Sequence, residues 1–573
     1  MKRCPQCKRV ETDASLSFCR TDGTSLVNDF SSIDDEAGTV RLSPMSTEPA
    51  TTVPSVPRGT GPTTVLTPPP SLSPAALPKR KSRKTVAIVV IVTTVIAGIG
   101  AGIVRSLLLK KRHAPIESIA VMPFVNDSGN PDVEYLSDGM SEALIKSLSQ
   151  LPNLTVKSRS SVVRYKDKEI DPKKIGNELG VQALLNGRVG QHGDQLSVRL
   201  ELIDAETQNV IWTERYDRTR ANLVTLQSDI ARDVSSRIKT RLSGADEAKV
   251  TRTYTTNTEA YQLYLKGRYH WNKRTAEDIQ KAIEHFKEAV EKDDQFALAY
   301  SGLADSYSIL PYYVGSKSHE LNQAAMPYAV RAVEIDDRLA EAHTSLAFVN
   351  EGAWNWADAQ REYERALELN PNYSPALTRY ARFEVRVPKR DVEGLARLKR
   401  ALEVEPSSLV ANDNLSQTYL AQGFVDLALD QAKRTVDLDP SYSFGLLDLA
   451  YVYVKKGQFI DAQITADKVV EVTKRASRGL VCLGVVNGAV GKRNEALSIV
   501  KELESRYHNG QADASEVAAV YAGLGDKDLA FAWLDKAFLD HSSILVDVRV
   551  EFPFASLHDD PRFNQLLKRM NMP

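Results

Sequence analysis

Hydrophobic and polar positions follow three different rules along this chain, and each rule predicts a different class of element. From Val86 to Val104 nineteen consecutive residues carry no charge, and only Thr93 and Thr94 among them are clearly polar. As a helix that run is about 28 Å long, close to the hydrocarbon thickness of a bilayer. From Glu117 to Leu242 short apolar runs alternate with amphipathic stretches. The pattern there predicts strands over 118–124, 154–156, 183–191, 195–203 and 210–216, and helices over 134–151, 172–179 and 223–242. His192-Gly193-Asp194 and residues 204–209 read as the turns between the last three strands. Beyond Asn257 the spacing is helical and periodic.

The period can be measured. Leu346, Tyr380, Leu415, Leu449 and Leu483 are separated by steps of 34, 35, 34 and 34 residues. A small residue recurs beside them at Ala304, Ala347, Ala381, Ser416, Ala450, Gly484 and Ala518, and Pro371, Pro406 and Pro440 close several of the units. With Ala359-x3-Tyr363-x2-Ala366-x4-Pro371, residues 258–540 resemble the tetratricopeptide-repeat family, in about eight units with an insertion near 311–321. The resemblance implies an all-α superhelix in which each helix pair buries its face only against its neighbours. It also implies a concave groove lined by the fifth and ninth positions of each first helix. Those positions hold Thr344, Thr378, Asp413 and Leu447, and Asp305, Phe348, Arg382, Gln417 and Tyr451. The expected partner is a protein or extended peptide with one polar and one apolar end. Residues 541–573 are expected to form a capping tail.

The mixed segment, taken as 115–244, carries Ala120-Val-Met-Pro-Phe124, Tyr135-Leu-Ser-Asp-Gly139, Ile175-Gly176, Leu185-x-Gly187-x-Val189, Leu202-Ile-Asp-Ala205 and Trp212-x-Glu214-Arg-Tyr216. Together these resemble the amino-terminal domain of TolB-like periplasmic proteins, which implies an α/β domain used for protein contact and brings no catalytic residues. Asp127 and Asp138 read as a loop turn and a helix start rather than an acid site.

Three of the four cysteines lie in residues 1–27. Cys4-Pro-Gln-Cys7 and Phe18-Cys19-Arg-Thr-Asp22-Gly23 resemble the two knuckles of a short zinc ribbon, with Asp22 where the fourth Cys usually stands. Cys4, Cys7, Cys19 and Asp22 are therefore the candidate ligands of one structural zinc, and a metal-free knuckle is the alternative. Residues 28–84 form a Ser/Thr/Pro-rich linker with a basic end, expected to be disordered; ten of the 26 prolines lie there. Its Thr39, Ser43, Thr67 and Ser73 suit either a spacer or a kinase target. Residues 85–109 are the expected transmembrane helix, in which Gly98 and Gly102 would let two spans approach closely. Basic flanks of nearly equal size give little orientation. Reduced amino-terminal thiols favour a cytosolic ribbon and periplasmic repeats at a bacterial inner membrane.

Charge then narrows the function. Lys and Arg total 73 against 74 Asp and Glu, so binding nucleic acid through bulk basicity is excluded. No Walker loop, Gly-x-Ser-x-Gly elbow, His-Glu-x-x-His helix or kinase signature occurs. The reading is a non-enzymatic, single-pass membrane scaffold that binds proteins. A transmembrane transducer, whose ribbon responds to ligand binding by the repeats, is the alternative.

Overall fold

The computed structural model describes residues 116–573 except 152–153, 167, 169–170, 239–242 and 315–317, together with short strands at 2–3, 10–11 and 27–28. Strand β1 (Lys2–Arg3) pairs antiparallel with β2 (Val10–Glu11) and with β3 (Val27–Asn28). The four candidate zinc ligands, linker residues 29–84 and the apolar run at 86–104 lie outside the described residues. Among the described residues no helix is long and apolar enough to cross a membrane, and no group of three or more His, Cys, Asp or Glu could hold a metal ion.

The mixed segment folds as a sheet with helices against it. Its strands are β4 (Ser118–Val121), β5 (Val125–Asn126), β6 (Thr155–Val156), β7 (Ala183–His192), β8 (Gln195–Asp204) and β9 (Val210–Thr219). The order is β6-β4-β7-β8-β9, with β5 continuing alongside β7. β4 runs parallel to β6 and β7, and the last three strands form an antiparallel meander. The strand expected over 118–124 divides into β4 and β5 around Pro123, which has no N–H to give the ladder. β9 runs three residues further than its apolar pattern, because Gln195 and Thr219 still pair although both are polar. Helices Glu134–Leu148 and Leu223–Ile238 close over the sheet, with Leu136, Leu144, Leu226 and Val234 in a core that includes Ile119, Leu184 and Leu200.

Two glycines of the sequence motifs have steric causes. A Cβ at Gly187 would stand 2.3 Å from the Phe124 ring, and one at Gly139 would stand 2.9 Å from Leu265. The second contact already belongs to the repeats. Arg268 Nε donates to Glu142 Oε1 (2.8 Å), Asn272 Nδ2 donates to Glu142 Oε2 (2.7 Å), and Lys146 pairs with Glu341 (2.6 Å). Ala260, Tyr261, Leu265 and Phe296 extend the same apolar core into the first repeats, so the α/β layer and the superhelix are one packed body.

Among the described residues the repeats are eight helix hairpins, from Thr258–Lys273 with Ala276–Lys292 to Ala514–Gly523 with Lys527–Leu539. Ala304, Ala347, Ala381, Ser416, Ala450 and Ala518 are fully buried where the helices meet. A Cβ at Gly484 would stand 2.8 Å from Val520. The superhelix comes back on itself. Trp354 stacks on His541 with centroids 4.0 Å apart, Trp356 Nε1 donates to Met570 O (2.8 Å), and Ser318 Oγ donates to Asp513 Oδ2 (3.1 Å). Helix Pro561–Arg569 lies at the chain end in the capping position, with Arg569 paired to Asp535 (2.5 Å).

Gly187→Ala should lower unfolding stability by about 1–3 kcal/mol through overpacking against Phe124. Gly244→Ala, where a Cβ meets nothing within 4 Å, should change it by less than about 0.5 kcal/mol. Urea denaturation of both variants reads the difference, and equal effects would contradict the steric account of Gly187.

Candidate functional site

The inner wall of the superhelix is built by the first helix of each hairpin. In its amino-terminal half the polar positions bond to one another. Asp305 Oδ1 accepts from Arg379 Nη1 (2.7 Å) and Ser345 Oγ (3.0 Å), and the same guanidinium lies 4.5 Å from the centroid of Phe348. Thr344 Oγ1 donates to Ala340 O in its own helix, and Thr378 is buried.

In the carboxy-terminal half the wall is covered by the chain's own tail. After helix Lys527–Leu539 the backbone turns at His541, where φ is 52°, and runs inward as two short 3-10 turns, Leu545–Asp547 and Phe552–Leu557. Ile544, Leu545, Val546, Val548, Val550, Phe554 and Leu557 are all buried. Asp547, 1% exposed, takes the centre. Its Oδ1 accepts from Arg382 Nη2 (2.8 Å) and Nε (3.1 Å) and from Arg386 Nε (2.8 Å), while Arg386 also pairs with Glu351. Further along, Glu551 accepts from Arg478 Nη2 (2.8 Å) and Phe552 stacks on Tyr451 at 5.2 Å. Gln417 bridges the two ends of this network, accepting from Arg382 (3.3 Å) and donating to Asp448 Oδ1 (3.1 Å).

Beneath this segment lies a cavity of about 30 Å³ bordered by Gln417, Leu447, Tyr451, Arg478, Glu516 and Phe552. It has room for a water or two. Arg382, Arg386 and Arg478 are matched there by Asp547, Glu351 and Glu551. Among the described residues no ion pair is formed by Asp413, Asp448 or Glu516, and burial raises all three carboxyls, that of Glu516 to about 7. Asp448 goes furthest: burial first, then the adjacent Asp413, push it well above the usual carboxylate range. Burial would also raise Asp547, but the charges of Arg382 and Arg386 outweigh it and hold that carboxyl down. The buried Cys482 thiol is pushed up by burial and by Asp448, which makes it a poor nucleophile.

Of the nine groove positions, Arg382, Gln417, Leu447 and Tyr451 meet the chain's own segment or the small cavity beneath it. Sequence periodicity did not find Asp547, Arg386, Glu351, Arg478 or Phe552. The available signal was one acid inside the aliphatic run Ile544-Leu-Val-Asp-Val-Arg-Val550, outside any repeat. A buried acid in such a run needs a cation from elsewhere. Asp138, set aside as a helix start, is also paired, to Lys166 at 2.7 Å. Asp127 is an exposed partner of Arg188 at 3.5 Å.

Residues 115–233 match the family described as HilA/YgeH-like transcriptional regulator, second domain. A curated Rhizobium meliloti (strain 1021) protein named putative adenylate cyclase 3 is 29% identical over 251 residues. That match covers 44% of this chain and 42% of the relative, so the chain spans less than half the length of that protein. Among solved structures, Pseudomonas aeruginosa pilF is 22% identical, with a TM-score of 0.30 over 38% of this chain and 93% of that chain. YrrB, described as a TPR protein with an unusual peptide-binding site, is 20% identical, with a TM-score of 0.24 over 34% of this chain and 95% of its own.

The two opposed carboxyls predict opposite pH behaviour. A lowered carboxyl stabilises above its ordinary value and loses that contribution as pH falls through its folded value; a raised one stabilises at low pH and loses it as pH rises. Asp547→Ala, which leaves Arg382 without its carboxylate and Arg386 with Glu351 alone, should cost about 3–5 kcal/mol at neutral pH, and the gap to wild type should narrow in acid. Asp448→Asn should instead melt above wild type by a margin that grows as pH rises above the ordinary carboxylate value of about 3.9. Thermal melts across pH read both, and parallel curves for all three proteins would contradict the assignment.

Proposed function

We propose that this chain is a non-enzymatic interaction protein whose contacts are made on the outer surface of a closed, internally plugged superhelix. The observation that supports it is the tail in the groove. A free peptide reproducing the contacts of residues 544–557 would bury similar apolar area and satisfy the same arginines. It would also lose about 4–15 kcal/mol of translational and rotational freedom that a tethered segment has already given up. The tethered segment wins that competition, so partners are expected outside.

The remaining parts of the proposal concern the amino-terminal region. A zinc ribbon held by Cys4, Cys7, Cys19 and Asp22, a single span at 85–109 in a bacterial inner membrane and repeats on its periplasmic face fit the composition and spacing of residues 1–115. A second reading, a transducer that passes a signal to the ribbon, is favoured by the company the α/β layer keeps. That layer matches a domain of transcriptional regulators, and a relative of the chain is named a putative cyclase. In both readings the folded part binds proteins and catalyses nothing.

A photoreactive residue placed in the full-length chain tests this. At exposed outer positions such as Ile460, 78% exposed, or Val392, it should give adducts with other proteins at one or more sites. At Gln417 it should give adducts only within the chain. Intermolecular adducts at Gln417 would show the groove accepting a partner and would overturn the closed reading. Thiol labelling of Cys4, Cys7 and Cys19 in intact cells should fail, and labelling would invert the membrane arrangement.

A further inference from the structure

β9 is the last strand of the sheet, and among the described residues no other strand pairs with its outer edge. An edge with free N–H and C=O groups is a template for another strand unless something blunts it. The central residues of β9 are Glu214, Arg215, Tyr216, Asp217 and Arg218, and the four charged ones are exposed. Their signs run negative, positive, neutral, negative, positive. Read backwards, the charged positions carry the opposite sign in every place. A strand with that property is complementary to an antiparallel copy of itself.

We propose that two copies of this chain pair through β9, antiparallel, with Tyr216 crossing Tyr216 of the partner subunit at a twofold axis perpendicular to the sheet. Such an axis keeps the helix-covered faces of both sheets on the same side, so each residue meets only residues of its own face. In this register Arg215 lies opposite Asp217 of the partner subunit, and Glu214 lies opposite Arg218 of the partner subunit. By symmetry each pair occurs twice. Thr213 and Thr219 end the ladder against each other.

The charges select that register over its neighbours. Sliding the copies so that Glu214, Arg215, Asp217 or Arg218 crosses its own symmetry mate sets like charges directly opposite, which is destabilising. Within one chain Arg215 already reaches Asp217 at 2.9 Å on the solvent face, so both side chains point where the cross-strand pair needs them. Tyr216 faces the helices, with its hydroxyl donating to Asp233 (2.7 Å), and does not obstruct the approach. Joining the two edges turns two sheets into one continuous sheet and removes the exposed edge of each. The inference is independent of which proteins bind the outer surface, and of any contact between spans through Gly98 and Gly102.

Sedimentation of the full-length chain in detergent solution tests it, with wild type, Arg215→Asp, and the exchange Arg215→Asp with Asp217→Arg. Wild type should be a dimer. Arg215→Asp sets Asp against Asp217 at two places and should raise the dimer dissociation constant about tenfold or more. The exchange restores opposite signs and should recover the dimer. Arg215 is a surface residue, so an unchanged melting curve for the single variant confirms that the fold is intact. A monomeric wild type, or a dimer indifferent to Arg215→Asp, would overturn the proposal. So would a dimer lost only when Gly102 is replaced by Leu, which would place the contact in the span.

Discussion

The structure depends on a buried carboxylate in an aliphatic strand of chain. Asp547 cannot sit inside the superhelix without cations, and Arg382 and Arg386 cannot face each other there without an anion. Each side of that cluster makes the other tolerable. The consequence is mechanical as well as electrostatic: the arginines come from the fourth hairpin and the acid from beyond the eighth, so their pairing ties the middle of the array to the segment that follows its last hairpin. Trp354 on His541 and Trp356 on Met570 repeat that tie on the rim. An array whose units otherwise see only their neighbours becomes a closed body.

Closure changes what the repeat pattern means. In an open superhelix the inner wall is the place for a ligand; here it is occupied, and the one cavity described there is the size of a water or two. Burial pushes up the carboxyls of Asp413, Asp448 and Glu516, while the guanidiniums of Arg382 and Arg478 are matched by Asp547 and Glu551. The α/β layer is joined to the hairpins through Gly139 against Leu265 and Glu142 against Arg268. Its far edge, β9, stays exposed.

Local periodicity made the hairpins legible. Ala347, Ala381 and Ala450 recur because two helices cross where no larger side chain fits, and that constraint repeats every 34 residues. The meander was legible for the same reason, through the alternation of Leu196, Val198, Leu200 and Leu202. The end of β9 was not, because an edge strand is polar on both faces and shows no alternation. The plug was not legible either: Asp547 pairs with residues 161 and 165 positions away, and no periodic rule spans that distance. Of the groove residues, Arg382 and Tyr451 meet the chain's own segment, which no count of helix positions can reveal.

Native-state hydrogen exchange on the full-length chain is the most direct measurement of the plugged groove. If residues 544–557 are an integral part of the interior, their amides exchange as slowly as those of the inner helices Ser374–Arg386 and Ser443–Lys455, and Asp547→Ala accelerates both together. Fast exchange of 544–557 beside protected inner helices would mean that the segment leaves the groove in the native state, and would contradict the closed superhelix.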